Sequence, residues 1–145
     1  MNIEQVADNI YAFPIVLPNN PLKWLNCYVV SSGGRNLLID TGFNRPECRE
    51  ALLDGMRQLG LTADNTDIFI THLHSDHTGN AAYLAGEGFN ILMGRTDHRV
   101  VTMPEKDKHR ETHARFLREG MPKEDLALWS AKSPAIKFAP GAFPA

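Results

Sequence analysis

A chain of 145 residues and 16.2 kDa has the size of one ordinary domain, large enough to bury a core without disulfides or a structural metal. A hydrophobic share of 43%, a charged share of 22% and a net charge of −2 exclude disordered, collagenous and coiled-coil classes, and they offer no basic footprint for nucleic acid. No polybasic run suits an anionic membrane surface and no apolar run approaches the ~20 residues that span a bilayer, so a small-molecule substrate is the expected partner.

In chain order, IEQVADNIYAFPIV gives two apolar runs split by Asp8 and Asn9, the pattern of a strand, a turn and a strand. LPNNPLKW interrupts any strand, and NCYVVSS and NLLID then flank Gly33-Gly34 as a second hairpin. Across residues 45–59 the apolar Cys48, Ala51, Leu52, Met56 and Leu59 recur at helical spacing, which predicts an amphipathic helix. Asn44 is placed to cap its start and Gly60 to end it. DIFI, residues 67–70, is expected as a short strand buried on both faces.

Past residue 77, GNAAYLAGEG reads as a short helix and FNILMG as a strand. Beyond Arg95, DHRVVTM, EKDKHRETHARFLREG and MPKEDLALWSA are each helical in period, and SPAIKFAPGAFPA reads as an extended ending. Hairpins followed by strand–helix alternation imply an α/β or α+β layered class, a mixed sheet with helices on one face. The two cysteines, Cys27 and Cys48, form no CxxC motif and MNIEQVADN has no signal-peptide character, so a cytoplasmic location with half-buried thiols is expected.

The chemistry gathers in THLHSDHTGN, residues 71–80, which holds three of the six histidines. It follows DIFI, on a loop leaving a strand, where ligands collect in open α/β sheets. In an extended segment His72 and His74 point to one side, so both rings can face one point. A turn at Ser75-Asp76 would aim Asp76 and His77 at a neighbouring point ~3.5–4 Å away, the separation of two-metal sites. Imidazole nitrogen with carboxylate oxygen favours zinc over calcium or magnesium, with iron, manganese or cobalt as further candidates. Three titrating rings beside a carboxylate compete with one another unless an ion lets them share coordination.

THLHSDHTGN resembles the HxHxDH signature of the metallo-β-lactamase-fold metallohydrolases. LLIDTG, residues 37–42, is similar to the strand and turn that carry a fixed aspartate near the metals, and NIYAF and NCYVV match the opening strands. The resemblance covers about residues 2–100. It implies an αββα sandwich of which this chain is the N-terminal half. It also implies a binuclear zinc site where a metal-held hydroxide attacks an ester, thioester, lactone, amide or phosphodiester. By position His72 and His74 would hold the first metal and Asp76 and His77 the second. Asp76 would also orient the hydroxide as the catalytic residue, and Asp40 would support the cluster from behind. An ion can lower the pKa of bound water to about 7, so no separate strong base is needed.

Members of that family need further ligands from later in the chain, including a GHTxGH-like turn that this sequence lacks. The chain is therefore read as a single partial domain, with sheet and metal motif in residues 1–100 and a helical insertion and connector in 101–145. Half a sandwich leaves a sheet face uncovered, which predicts self-association, and an incomplete site predicts impaired activity. His109 and His113 are four apart but HRETH is not HExxH, and His98 has no second histidine at ligand spacing in the sequence, so none of the three is read as a metal ligand. Leu22 and Trp24 could form an apolar wall over the site, with packing of Trp24 in the core as the alternative; the charged helices beyond residue 103 are read as solvated rather than as a lid. Two other readings stay open: a mononuclear iron oxygenase acting on a persulfide, and a noncatalytic metal-binding or oligomerising module.

Overall fold

The computed structural model describes residues 2–132. Strands β1 (Glu4–Ala7), β2 (Ile10–Val16), β3 (Trp24–Ser32), β4 (Arg35–Ile39), β5 (Thr66–Ile70) and β6 (Asn90–Met93) form one six-stranded sheet in sequence order. β1 to β4 pair antiparallel, as hairpins must, whereas β4·β5 and β5·β6 are parallel. The parallel crossovers need a helix each. Between β4 and β5 lies α1 (Pro46–Gln58); between β5 and β6 lie α2 (Ser75–Thr78) and α3 (Ala81–Gly86). Helices α4 (Arg95–Thr102), α5 (Glu105–Arg118) and α6 (Lys123–Lys132) follow, with Phe116 edge-on to Trp129.

The α/β expectation, a mixed sheet with helices, is met. Strand alternation sends Phe13, Ile15, Cys27, Val29, Leu38, Ile68 and Ile70 into a core with Leu52 and Met56 of α1 and Leu84 of α3. Each large aliphatic buried there contributes ~1.5–3 kcal/mol. α1 lies close on β2 because position 55 is glycine: a Cβ there would strike the Phe13 ring. The helix ends as Gly60 turns left-handed at φ 65°, and the Leu61 N–H returns to the Met56 carbonyl.

Some expectations are corrected. Asn44 does not cap α1; the cap residue is Arg45, and the Asn44 side chain instead accepts a hydrogen bond from Arg49 Nη2 at 2.8 Å. β5 is not buried on both faces, since Phe69 points away from the helices and is 36% exposed. The cysteines are fully buried rather than half-buried. The proline-rich ending, residues 133–145, lies outside the described residues.

The face opposite α1 carries a row set by register: Ala12, Tyr28, Ile39, Phe69 and Leu92 sit side by side across five strands, with Val16 next to Trp24 beyond them. Tyr28, Phe69, Leu92, Val16 and Trp24 are all exposed. Monomers rarely leave a contiguous apolar patch above ~300–600 Å² in water. This chain in solution is therefore expected to associate: light scattering should give a dimer or larger species, and Trp24→Glu with Phe69→Glu should bring it to the monomer mass. A monomeric wild type would refute the expectation.

Candidate metal centre

Because β4 and β5 run parallel, their C-terminal ends leave the sheet at the same edge, and the residues that follow them meet. Asp40 follows β4 at φ 65°, a left-handed conformation that aspartate tolerates better than most residues. Its backbone is held by an N–H bond to the Phe69 carbonyl at 3.0 Å, and its carbonyl accepts from the Cys27 thiol at 3.3 Å. Its carboxylate turns toward the loop after β5. There it accepts the Thr71 N–H at 2.9 Å, the Thr71 hydroxyl at 2.9–3.0 Å and Nδ1 of His77 at 2.8 Å.

His72 and His74 lie in the irregular stretch before α2, where the chain bends at His72 and Leu73 instead of running extended as expected. Asp76 and His77 lie on α2 itself, so the turn expected at Ser75-Asp76 is a helical one. The four side chains come together. His72 is edge-on to His74 with ring centres 4.5 Å apart, and tilted against His77 at 4.1 Å. Two donor atoms bound to one tetrahedral ion lie ~3.3–3.5 Å apart when each bond is ~2.0–2.2 Å. Nε2 of His72 stands 3.0 Å from Nδ1 of His74, and Nε2 of His77 stands 3.5 Å from Oδ2 of Asp76. The His77–Asp76 spacing matches such an edge, whereas the His72–His74 spacing is shorter and is that of a hydrogen bond. Among the described residues, no three or more His, Cys, Asp or Glu side chains converge on one ion position.

Electrostatics separates the rings. Burial, then the neighbouring His77 and His74, holds His72 below the ordinary histidine range, which favours the neutral ligand form. Burial alone would push Asp40 up and His77 down. Their mutual hydrogen bond and charge, with the Thr71 bonds to Asp40, reverse both: Asp40 titrates below its usual range and His77 above.

His98 sits on α4 and His113 on α5, on elements beyond β6; the side chain of His109 lies outside the described residues. β2 and β4 end, and β3 begins, at the edge that carries Asp40, so the loop with Leu22 and the first β3 residue, Trp24, lie at that edge too. Trp24 is 54% exposed, so it is not packed in the core.

A family model of the metallo-beta-lactamase superfamily matches residues 25–141. The chain belongs to that superfamily. Among relatives, the atrochrysone carboxyl ACP thioesterase nsrC of Aspergillus novofumigatus is 37% identical over 86 residues, 54% of this chain and 24% of that protein. The lactamase-like protein vrtG of Penicillium aethiopicum is 40% identical over 68 residues, 44% of this chain and 22% of its own length. A metallo-beta-lactamase family protein from Thermus thermophilus superposes with a TM-score of 0.62 at 27% identity, covering 94% of this chain and 46% of that one. MEM-A1, a subclass B3 metallo-beta-lactamase from a soil metagenome library, shares the fold at TM-score 0.57 and 22% identity, covering 75% and 39%. The chain spans about a quarter of the curated relatives it matches and under half of these solved structures.

Sequence reasoning missed the clasp that fixes this superfamily loop to the sheet edge. The Thr41 N–H and hydroxyl both donate to the His77 carbonyl, at 3.0 and 2.7 Å, and the Thr41 hydroxyl accepts the Asn80 N–H at 3.1 Å. Buried Asn80 donates from Nδ2 to the carbonyls of Thr41 and Phe43 at 2.8 and 2.9 Å. Gly79 lets the segments touch, since a Cβ there would overlap backbone atoms of Gly42, Phe43 and Asn44. The only signal was the TGN that closes the motif.

Asn80→Ala should cost ~1–3 kcal/mol for each carbonyl it leaves unpaired, read as a lower urea midpoint at unchanged slope. The Asp40–His77 pair makes a signed pH prediction for chelator-treated protein. A raised His77 stabilises fully below its unfolded ~6.5 and is lost as pH rises through its folded value, whereas a lowered Asp40 stabilises above its unfolded ~3.8 and is lost as pH falls through its folded value. The pair's contribution should therefore be full between those two unfolded values, and His77→Asn should flatten the urea midpoint on the alkaline side.

Proposed function

We propose that this chain is the ligand-bearing N-terminal part of a zinc-dependent hydrolase that opens a thioester or related acyl ester. The observation that carries the reading is the convergence of His72, His74, Asp76 and His77 at one sheet edge, each in contact with another of the four, backed by the Asp40 carboxylate. Superfamily membership and relatives named as ACP thioesterases support hydrolysis as the reaction and the thioester as the first substrate class to test.

In this reading His72 and His74 hold one zinc ion and Asp76 and His77 a second. Bound there, zinc supplies Lewis acidity, which lowers the pKa of water and polarises a carbonyl. Asp76 accepts a hydrogen bond from the attacking water and aims its lone pair at the acyl carbon. Asp40 holds the proton on Nδ1 of His77, which leaves Nε2 as the donor atom. Leu22 and Trp24 give the acyl chain an apolar wall and keep bulk water from that side.

With two of the described side chains toward each ion, this chain should bind zinc more weakly than a three-ligand catalytic site does. Equilibrium dialysis with zinc should show weak binding that His74→Ala and Asp76→Ala each reduce by more than ~10²-fold. Unchanged binding in both variants refutes the assignment. In the whole gene product, zinc-dependent cleavage of an acyl thioester should be lost in His74→Ala. Trp24→Ala should raise KM several-fold for long acyl chains with little change in kcat, the mark of lost uniform binding.

A further inference from the structure

Thr71, the first residue of the loop, has a hydroxyl within hydrogen-bond distance of three side chains, Asp40, His72 and His77. Its Oγ1 lies 3.0 and 2.9 Å from the two carboxylate oxygens of Asp40, and 3.0 Å from Nδ1 of His72. A hydroxyl has one proton to give and lone pairs to accept with, whereas a carboxylate only accepts. Oxygens this close attract only if the hydroxyl proton lies between them. That proton is therefore committed to Asp40. The approach to His72 is then favourable only if Nδ1 of that ring carries the hydrogen and donates it to Oγ1. Nδ1 of His77, 3.4 Å from the same oxygen, is the nearer to Asp40 at 2.8 Å and donates there.

The same inventory runs one ring further. If Nδ1 of His72 is protonated, its Nε2 holds a lone pair, and the 3.0 Å contact to Nδ1 of His74 requires the hydrogen to sit on His74. Two facing lone pairs at that distance would repel.

We propose that Thr71 is a positioning residue that sets the tautomer of His72: its hydroxyl, oriented by Asp40, accepts the Nδ1 proton and leaves Nε2 bare. Asp40 thereby governs one ring from each ligand pair, His77 directly and His72 through a single hydroxyl. The consequence for metal affinity rests on the zinc reading above. His72 and His77 are ready as donors before any ion arrives, and His74 alone must shift its proton from Nδ1 to Nε2 to present the nitrogen that faces His72. Fixing ring tautomers through the opposite nitrogen is a general way to tune a histidine ligand.

The test needs no metal. Two-bond proton–nitrogen correlation spectra of the ¹⁵N-labelled, chelator-treated chain at alkaline pH report which ring nitrogen of each histidine is protonated, with His72→Gln assigning the signals. Wild type and Thr71→Ser should show His72 protonated at Nδ1. Thr71→Val should move the proton to Nε2 or give an averaged pattern. An Nε2-protonated His72 in wild type, or an unchanged pattern in Thr71→Val, overturns the proposal. Should the valine variant fail to fold, the wild-type and serine spectra decide alone. Zinc binding is then read separately, with Thr71→Val expected to weaken it ~10–100-fold and Thr71→Ser to keep it within a few-fold. A chain with the Nδ1 tautomer that binds no zinc would refute the metal reading and leave the tautomer assignment standing.

Discussion

The parallel pairing of β4 with β5 is the constraint on which the site depends. An antiparallel pair would send the two C-terminal ends to opposite edges of the sheet. In parallel register Ile39 lies beside Phe69, so Asp40 and Thr71 leave the sheet as neighbours and one carboxylate reaches both a peptide N–H and a ring nitrogen of the next loop. The crossover that makes this possible is α1, and α1 sits close enough because of Gly55. Packing far from the histidines thus decides where they point.

The arrangement has a local cost. A non-glycine residue at positive φ typically stores ~1–3 kcal/mol, and Asp40 adds to it the burial of most of a carboxylate. Hydrogen bonds with Phe69, Cys27, Thr71 and His77 offset both terms. The histidines, crowded in sequence, lean on one another through ring contacts and a shared hydrogen-bond chain rather than standing apart in water.

The sequence exposed whatever is written locally. Period-two runs gave the hairpins, the three-and-four spacing gave α1, and His72, His74, Asp76 and His77 were visible because identity at fixed spacing is the whole of that signal. Asp40 came from resemblance, not from spacing. What stayed hidden acts between distant segments: Thr41 and Asn80 are 39 positions apart, and Thr71 and Asp40 are 31 apart. Nothing in either neighbourhood announces the other. Two of the misreadings have the same origin. Asn44 is a good cap by type, but Arg49 competes for its side chain, and DIFI is apolar throughout without saying that helices cover only one side of it.

Gly79 carries a consequence for anyone exchanging loops between members of this superfamily. Its backbone rests directly on residues 42–44, with no side chain between to absorb a change of height. Residues 40–44 and 71–80 therefore behave as one interchangeable cassette. Transplanting the histidine loop alone would set a foreign contour against a fixed one, whereas moving both segments together carries the fit with them.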